Sequence, residues 1–177
     1  EETARLQQLA SREGATLYMI LLAMFNIMLS RVCGQEDIIV GTPVAGRRHV
    51  ELERLIGMFI NTLALRNYPG QEKPFYEFLN EVKDRVLQAF ENQDYPFEDL
   101  VEQLDIPRDA SRNPLFDVMF VLQNMDLSGG EVKGSSFKTY GEAQKDSKFD
   151  LSLIMIESRG QIQCIFEYST RLFKRET

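Results

Sequence analysis

The chain has 177 residues, of which 44 % are hydrophobic and 27 % charged, an ordinary balance for one globular domain or one lobe of a larger one. Its formal net charge of −7, from 27 acidic and 20 basic side chains, argues against a nucleic-acid-binding role. Two cysteines, Cys33 and Cys164, lack metal-ligand spacing, so buried free thiols of a cytoplasmic protein are expected in preference to a disulfide. The opening EETARLQQ carries neither an initiator Met nor a signal-peptide pattern and reads as cut from something longer.

Residues 3–13 predict a short helix with Leu6, Leu9 and Ala10 inward and Gly14 as its stop. Thr16 is expected to cap a second helix, LYMILLAMFNIMLSRVC, that is apolar nearly all round. Asn26, Ser30 and Arg31 interrupt a run already short for a bilayer, so a helix buried in a protein core is preferred to a membrane span. Ile38, Ile39 and Val40 form a continuous apolar run suited to an interior strand over residues 37–44. GTPVAGRR follows and fails as a phosphate loop, because Arg47 and Arg48 stand where Lys and a Mg-binding hydroxyl are required. Pro43, Ala45 and Gly46 more simply make a tight exit from the strand.

Residues 51–55 predict a helical turn and 58–66 a strand whose apolar run is interrupted by Asn61 and Thr62. An unsatisfied buried amide costs about 1–3 kcal/mol, so this pair must brace the backbone or face a wet cleft. Bracing is the preferred reading. Pro74 opens a helix to about residue 91, with Phe75, Phe78, Leu79, Val82, Val86, Ala89 and Phe90 as its inward stripe. The stretch from Asn92 to Asn124 is the centre of organisation. Pro96 is expected at a first helical position with Asp94 as N-cap, and Glu98 and Asp99 complement the helix dipole. That helix must end before Pro107, Asn113 and Pro114 mark a turn, and LFDVMFVLQ predicts a strand. Residues 125–136 predict a loop and 137–140 a short strand. Residues 149–157 and 161–168 predict a hairpin across Ser158-Arg159-Gly160, in a sheet covered on both faces. The closing LFKRET reads as the first turn of a helix.

Chemistry-bearing residues are sparse. His49 is the single histidine, and nothing places it with Ser111 and a carboxylate as a nucleophilic triad. No Gly-x-Ser-x-Gly elbow and no metal-ligand set is present. An exposed or turn-stabilising histidine is therefore the preferred reading.

Three segments nevertheless stand in a telling order: IGMFINTLALR (56–66), NQDYPFE (92–98) and RDASRNPLF (108–116). They resemble three consecutive core motifs of nonribosomal peptide synthetase condensation domains. The resemblance covers essentially the whole chain, residues 1–177, but only the C-terminal half of that domain. It implies an α/β fold, an α+β sandwich resembling a lobe of chloramphenicol acetyltransferase, with helices packed on a mixed, mostly antiparallel sheet. Two such lobes meet in a V-shaped cleft, and the family's His-His-x-x-x-Asp-Gly motif belongs to the other one. His49, followed by Val-Glu, does not supply it.

The resemblance implies joining an acyl or peptidyl thioester on one carrier protein to an aminoacyl amine on the next, both arriving on phosphopantetheine arms. On that basis this chain holds no catalytic residue, no metal and no directly bound cofactor. Its motif residues at the cleft are Asn61, Thr62, Asp94, Tyr95, Pro96, Phe97, Arg112, Asn113 and Pro114. Implied partners are the missing N-terminal lobe, peptidyl carrier proteins and an adjacent adenylation domain, and an isolated lobe is expected to self-associate through exposed apolar surface. Arg47, Arg48 and Arg54 offer charge to an acidic carrier or its phosphate, although solvated surface charge is the preferred reading. GTPVAGRR, NTLALR and SRNPLF resemble the peptide-bond-forming type more than epimerisation domains. A non-catalytic carrier-binding module and another acyltransferase relative remain the alternatives.

Overall fold

A computed structural model describes residues 1–46, 50–53, 55–106, 109, 112–123, 147–158 and 160–176. Two helices open the chain, α1 (Glu2–Arg12) and α2 (Leu17–Cys33). The Thr16 hydroxyl accepts the Met19 N–H at 3.2 Å and so serves an orphan donor of the first turn of α2. At the other end Gly34 takes φ 67° and its N–H closes on the Ser30 carbonyl at 2.8 Å, a left-handed stop that glycine adopts without steric cost. Asn26 lies fully buried in α2, its Nδ2 donating to the Leu22 carbonyl at 2.7 Å. That local bond serves the amide nitrogen, while the buried Oδ1 has no hydrogen-bond partner among the described residues. No single helix among the described residues is long and apolar enough to cross a membrane.

The strands are β1 (Ile38–Val44), β2 (Asn61–Asn67), β3 (Val118–Gln123), β4 (Leu151–Ser158) and β5 (Gln161–Tyr168). They form one sheet in the order β2-β1-β3-β4-β5. The short α3 (Val50–Glu53) lies between β1 and β2; α4 (Phe75–Glu91) and α5 (Phe97–Gln103) lie between β2 and β3. The mixed sheet expected from the sequence is found, with its antiparallel pairing confined to the outer pairs β1–β2 and β4–β5. The inner pairs β1–β3 and β3–β4 are parallel.

Helices α1, α2 and α4 supply one layer of the core. Ile20, Leu22 and Phe25 of α2 and Phe78, Leu79 and Val82 of α4 cluster with Val40, Leu65, Phe120 and Leu153 from four strands. Each such large side chain contributes roughly 1.5–3 kcal/mol on leaving water. The Phe120 ring centroid lies 5.4 Å from that of Tyr18 and 5.7 Å from that of Phe25, pinning α2 to the centre of the sheet.

Several expectations are corrected. The strand expected from residue 58 begins at Asn61, and Met58 and Ile60 are exposed. The cause is the exit from β1: Gly46 takes φ 62°, and a Cβ there would lie 1.9 Å from the Phe59 carbonyl oxygen. The chain crosses itself at that point, so pairing cannot begin before Val44 meets Asn61. Likewise β3 starts at Val118, because residues 113–117 are held in a turn and the Asp117 carbonyl accepts the Asp150 N–H at 2.9 Å. Cys33 and Cys164 are both free thiols and both exposed, not buried. Two-sided cover also fails at the edge strand β5, where Ile165 and Phe166, on opposite faces, are exposed. Strand alternation gives a face but not its cover, and the helices pack chiefly over β1 and β2. At LFKRET the N–H groups of Leu172 and Phe173 close on the Ser169 carbonyl as a turn. The expected loop 125–136 and strand 137–140, together with Arg47, Arg48, His49, Arg54 and Ser111, lie outside the described residues.

Burial of the Tyr18 ring carries a pH signature. Its hydroxyl has no complete hydrogen bond, and burial pushes its pKa from 10.0 up to about 12, offset only in part by the nearby Thr42 hydroxyl. Below pH 10 both folded and unfolded chains hold this proton; between 10 and 12 only the folded chain does, so stability falls with rising pH across that window. Tyr18→Phe is expected to flatten this alkaline fall in urea-unfolding midpoints, and an unchanged slope would remove Tyr18 as its source.

Candidate functional site

The three sequence motifs meet around the start of β2, the edge strand of the sheet. Asn61, the first residue of β2, reaches out of the strand to the loop before α5. Its Nδ2 donates to the carbonyls of Gln93 and Tyr95, both at 2.8 Å. Its Oδ1 accepts the N–H of Thr62 at 2.8 Å and of Phe97 at 3.3 Å. Two donors and two lone pairs exhaust what an amide side chain offers. Asn61 is thus the backbone brace that its place in an apolar strand suggests, and Thr62, opposite Pro43 on β1, takes part through its own N–H.

The start of α5 differs from expectation. Pro96 is the N-cap, with φ −63° and ψ 140°, and Phe97 is the first helical residue; Asp94 lies two positions before the cap. No cap side chain serves the helix. Instead the Phe97 N–H, an orphan donor of the first turn, is satisfied from a strand 36 residues away. Glu98 and Asp99 occupy the first turn as expected and favour its positive end. Tyr95 is exposed, and its hydroxyl donates to Gln103 Oε1 at 2.9 Å, lying along the new helix.

The third motif is tied down by Asn113, whose Oδ1 accepts the N–H groups of Leu115 at 3.2 Å and Phe116 at 3.4 Å. This side-chain turn lays the buried Phe116 ring over Gly41 of β1. A Cβ on Gly41 would come within 2.2 Å of that ring. Phe116 also meets Phe97 at 5.6 Å and Phe149 at 5.7 Å between centroids. Asn61 therefore joins the first motif to the second, and Phe97 against Phe116 joins the second to the third. Gly41, Met119 and Ser152 stand side by side in the sheet beneath this layer.

Arg112 turns elsewhere. Its Nη2 lies 3.4 Å from Asp117 and 3.8 Å from Asp150, at the rim of a cavity of about 590 Å³. Lys148 and Arg171 line the same cavity, with Ser147, Ser169 and Thr170 adding hydroxyls. Three cations and one lining carboxylate give it an excess of positive charge in a chain of net charge −7. Sequence reasoning found Arg112 through its motif but missed Lys148 and Arg171, which are single basic residues in polar surroundings. They meet across the β4–β5 hairpin, and they reach Arg112 only through the parallel β3–β4 pairing, which leaves no local sequence signal. Among the described residues no cluster of three or more His, Cys, Asp or Glu could hold a metal ion.

A family model for the Condensation domain matches residues 1–177. The chain belongs to the condensation-domain family. It is 53 % identical over 177 residues to bacitracin synthase 3 of Bacillus licheniformis, covering all of this chain and 3 % of that protein. To tyrocidine synthase 3 of Brevibacillus parabrevis it is 53 % identical over 172 residues, 97 % of this chain and 3 % of the synthase. This condensation-domain chain thus spans a small part of the curated relatives it matches. Its fold matches a four-domain nonribosomal peptide synthetase bound to AMP and glycine, with a TM-score of 0.87 at 23 % identity over 98 % of this chain and 14 % of that one. The X-domain from teicoplanin biosynthesis matches with a TM-score of 0.85 at 25 % identity, over 98 % of this chain and 40 % of that one.

The contact of Phe116 with β1 leaves no room for a methyl group at residue 41. Gly41→Ala is expected to lower stability by roughly 1–3 kcal/mol through overpacking, with Phe116→Leu added to it restoring part of the loss. Equal urea midpoints for Gly41→Ala and the wild type would refute the contact.

Proposed function

We propose that this chain is the C-terminal lobe of a condensation domain that forms a peptide bond between carrier-bound substrates. The observation that carries the reading is the assembly of the three motif segments into one braced layer, in a chain 53 % identical to bacitracin synthase 3. In the reaction an aminoacyl amine attacks the carbonyl carbon of an acyl or peptidyl thioester, nitrogen loses a proton, and the carrier's thiol leaves. Such chemistry needs chiefly alignment of two tethered reactants and proton management. The braced layer, with Asn61, Thr62, Asp94 to Phe97 and Arg112 to Pro114, forms a wall of the cleft. The His-His-x-x-x-Asp-Gly motif belongs to the N-terminal lobe.

The partners are that lobe, two peptidyl carrier proteins and a neighbouring adenylation domain, all in the cytoplasm. No cofactor resides on the chain; phosphopantetheine arrives on the carriers. Arg112, Lys148 and Arg171 suit its phosphodiester, and the hydroxyls beside them add donors. Exposed Ile56 and Met58 favour self-association of the lobe by itself. A second reading, a module that recruits another protein, draws on the likeness to an X-domain solved in complex with OxyB. Identity of 26 % to that X-domain against 53 % to bacitracin synthase 3 favours peptide-bond formation.

Two experiments test the proposal. The chain alone, given charged donor and acceptor carriers, is expected to yield no dipeptidyl thioester, and joining it to an N-terminal lobe is expected to restore the product. Product from the chain alone, or none from the joined and folded domain, would overturn the reading. Lys148→Glu with Arg171→Glu is expected to weaken carrier binding about tenfold, in a salt-dependent way, at unchanged melting temperature. An unaltered carrier Kd would take the cavity out of the docking surface.

A further inference from the structure

We infer that Asn61 is a positioning residue for the proposed condensation reaction, acting through the loop that presents Tyr95 and Pro96. Residues 92–96 lie between two helices and belong to neither. Within the loop the Tyr95 N–H closes on the Asn92 carbonyl at 3.1 Å. The carbonyls of Gln93 and Tyr95, and the first N–H of α5, are instead served by one side chain rooted in β2. Asp94, Tyr95 and Pro96 are exposed, so this stretch faces outward while its backbone is held from behind. The backbone that carries these exposed side chains is therefore held by Asn61, and the Tyr95 hydroxyl adds its own bond to Gln103.

The polarity of the clasp selects an amide. Nitrogen faces two carbonyl oxygens and oxygen faces two N–H groups. Leucine keeps the shape and loses all four bonds. Asn61→Asp keeps shape and both accepted bonds but turns an anionic oxygen toward the carbonyls of Gln93 and Tyr95. That repulsion favours the protonated carboxyl, which restores one donated bond. The clasp of this variant is thus held at low pH and lost as pH rises through the raised carboxyl pKa, a dependence the wild-type amide cannot show.

The functional half of this inference rests on the condensation reading; the pH-gated clasp does not, and the two are measured separately. On the chain itself, amide hydrogen exchange of Phe97 is followed at about pH 4, near the ordinary aspartate pKa, and at about pH 8, well above it. Corrected for intrinsic rates, protection in Asn61→Asp is expected to fall about tenfold at the higher pH relative to the lower. Wild type should stay flat and Asn61→Leu should be unprotected at both. A pH-independent Asn61→Asp, or full protection in Asn61→Leu, would overturn the clasp.

In the synthetase that contains this chain, Asn61→Asp at about pH 8 is expected to lower kcat about tenfold with KM for the carriers nearly unchanged. A loss of merely folded protein would follow the melting temperature, and correcting kcat for the folded fraction would abolish it. Unchanged kcat in a folded variant would refute the positioning role. Absence of any peptide bond from the wild-type synthetase would sink the condensation reading alone.

Discussion

Asn61 serves backbone groups from two segments that have no partners in each other. The strand β2 ends its pairing at that residue, and the loop before α5 has lost helical bonding without gaining a strand partner. In a partly buried setting, each unserved carbonyl or N–H costs about 1–3 kcal/mol. One side chain resolves this for Gln93, Tyr95 and Phe97 together. That explains why the polar residue interrupting an apolar run sits at the strand's first position: one residue further in, its side chain would point to the opposite face.

A second constraint acts on the face of the sheet that carries Gly41. The sheet carries helices on one side and the motif layer on the other, and the motif layer has no long helix to fill it. Three phenylalanines from three separate segments do so instead: Phe97 from α5, Phe116 from the Asn113 turn and Phe149 from the entry to β4. Flat rings approach the sheet more closely than branched side chains would, provided a strand residue gives way. Gly41 gives way. Its neighbours in register, Met119 and Ser152, remain buried beneath the same layer. The glycine in GTPVAGRR that sequence reading assigned to no role is thus the floor of the aromatic stack.

What the sequence disclosed divides along the line between local and distant causes. Helix α4 was legible because its stripe repeats within a few turns, and α2 because it is apolar nearly all round and Thr16 caps it by local chemistry. The resemblance singled out the three motifs without saying that they touch, while the bracing role of Asn61 was legible in the cost of burying an amide. The N-cap of α5 was not, because its donor is served from β2 and the local sequence offers Asp94 as an equally plausible cap. The exposure of Cys164 was hidden for a related reason: alternation says that it shares a face with Ile162 and Phe166, while only the path of the helices says that cover on this face reaches Ile162 and stops short of Cys164. Lys148 and Arg171 converge on Arg112 through strand order, which no local pattern encodes.

The distribution of exposed apolar groups bears on how the lobe meets the rest of a domain. The core cluster lies between the helices and the sheet. Leu55, Ile56, Met58 and Ile60, by contrast, stand in solvent along one short connection, and Gly46 locks that connection against the end of β1. Apolar side chains held out on a fixed backbone lose little conformational freedom when covered, so covering them is more favourable than covering a floppy loop of the same composition. The connection leads directly into Asn61. Any element that covers it would therefore bear on the first hydrogen bonds of the clasp, and through them on the loop that presents Tyr95.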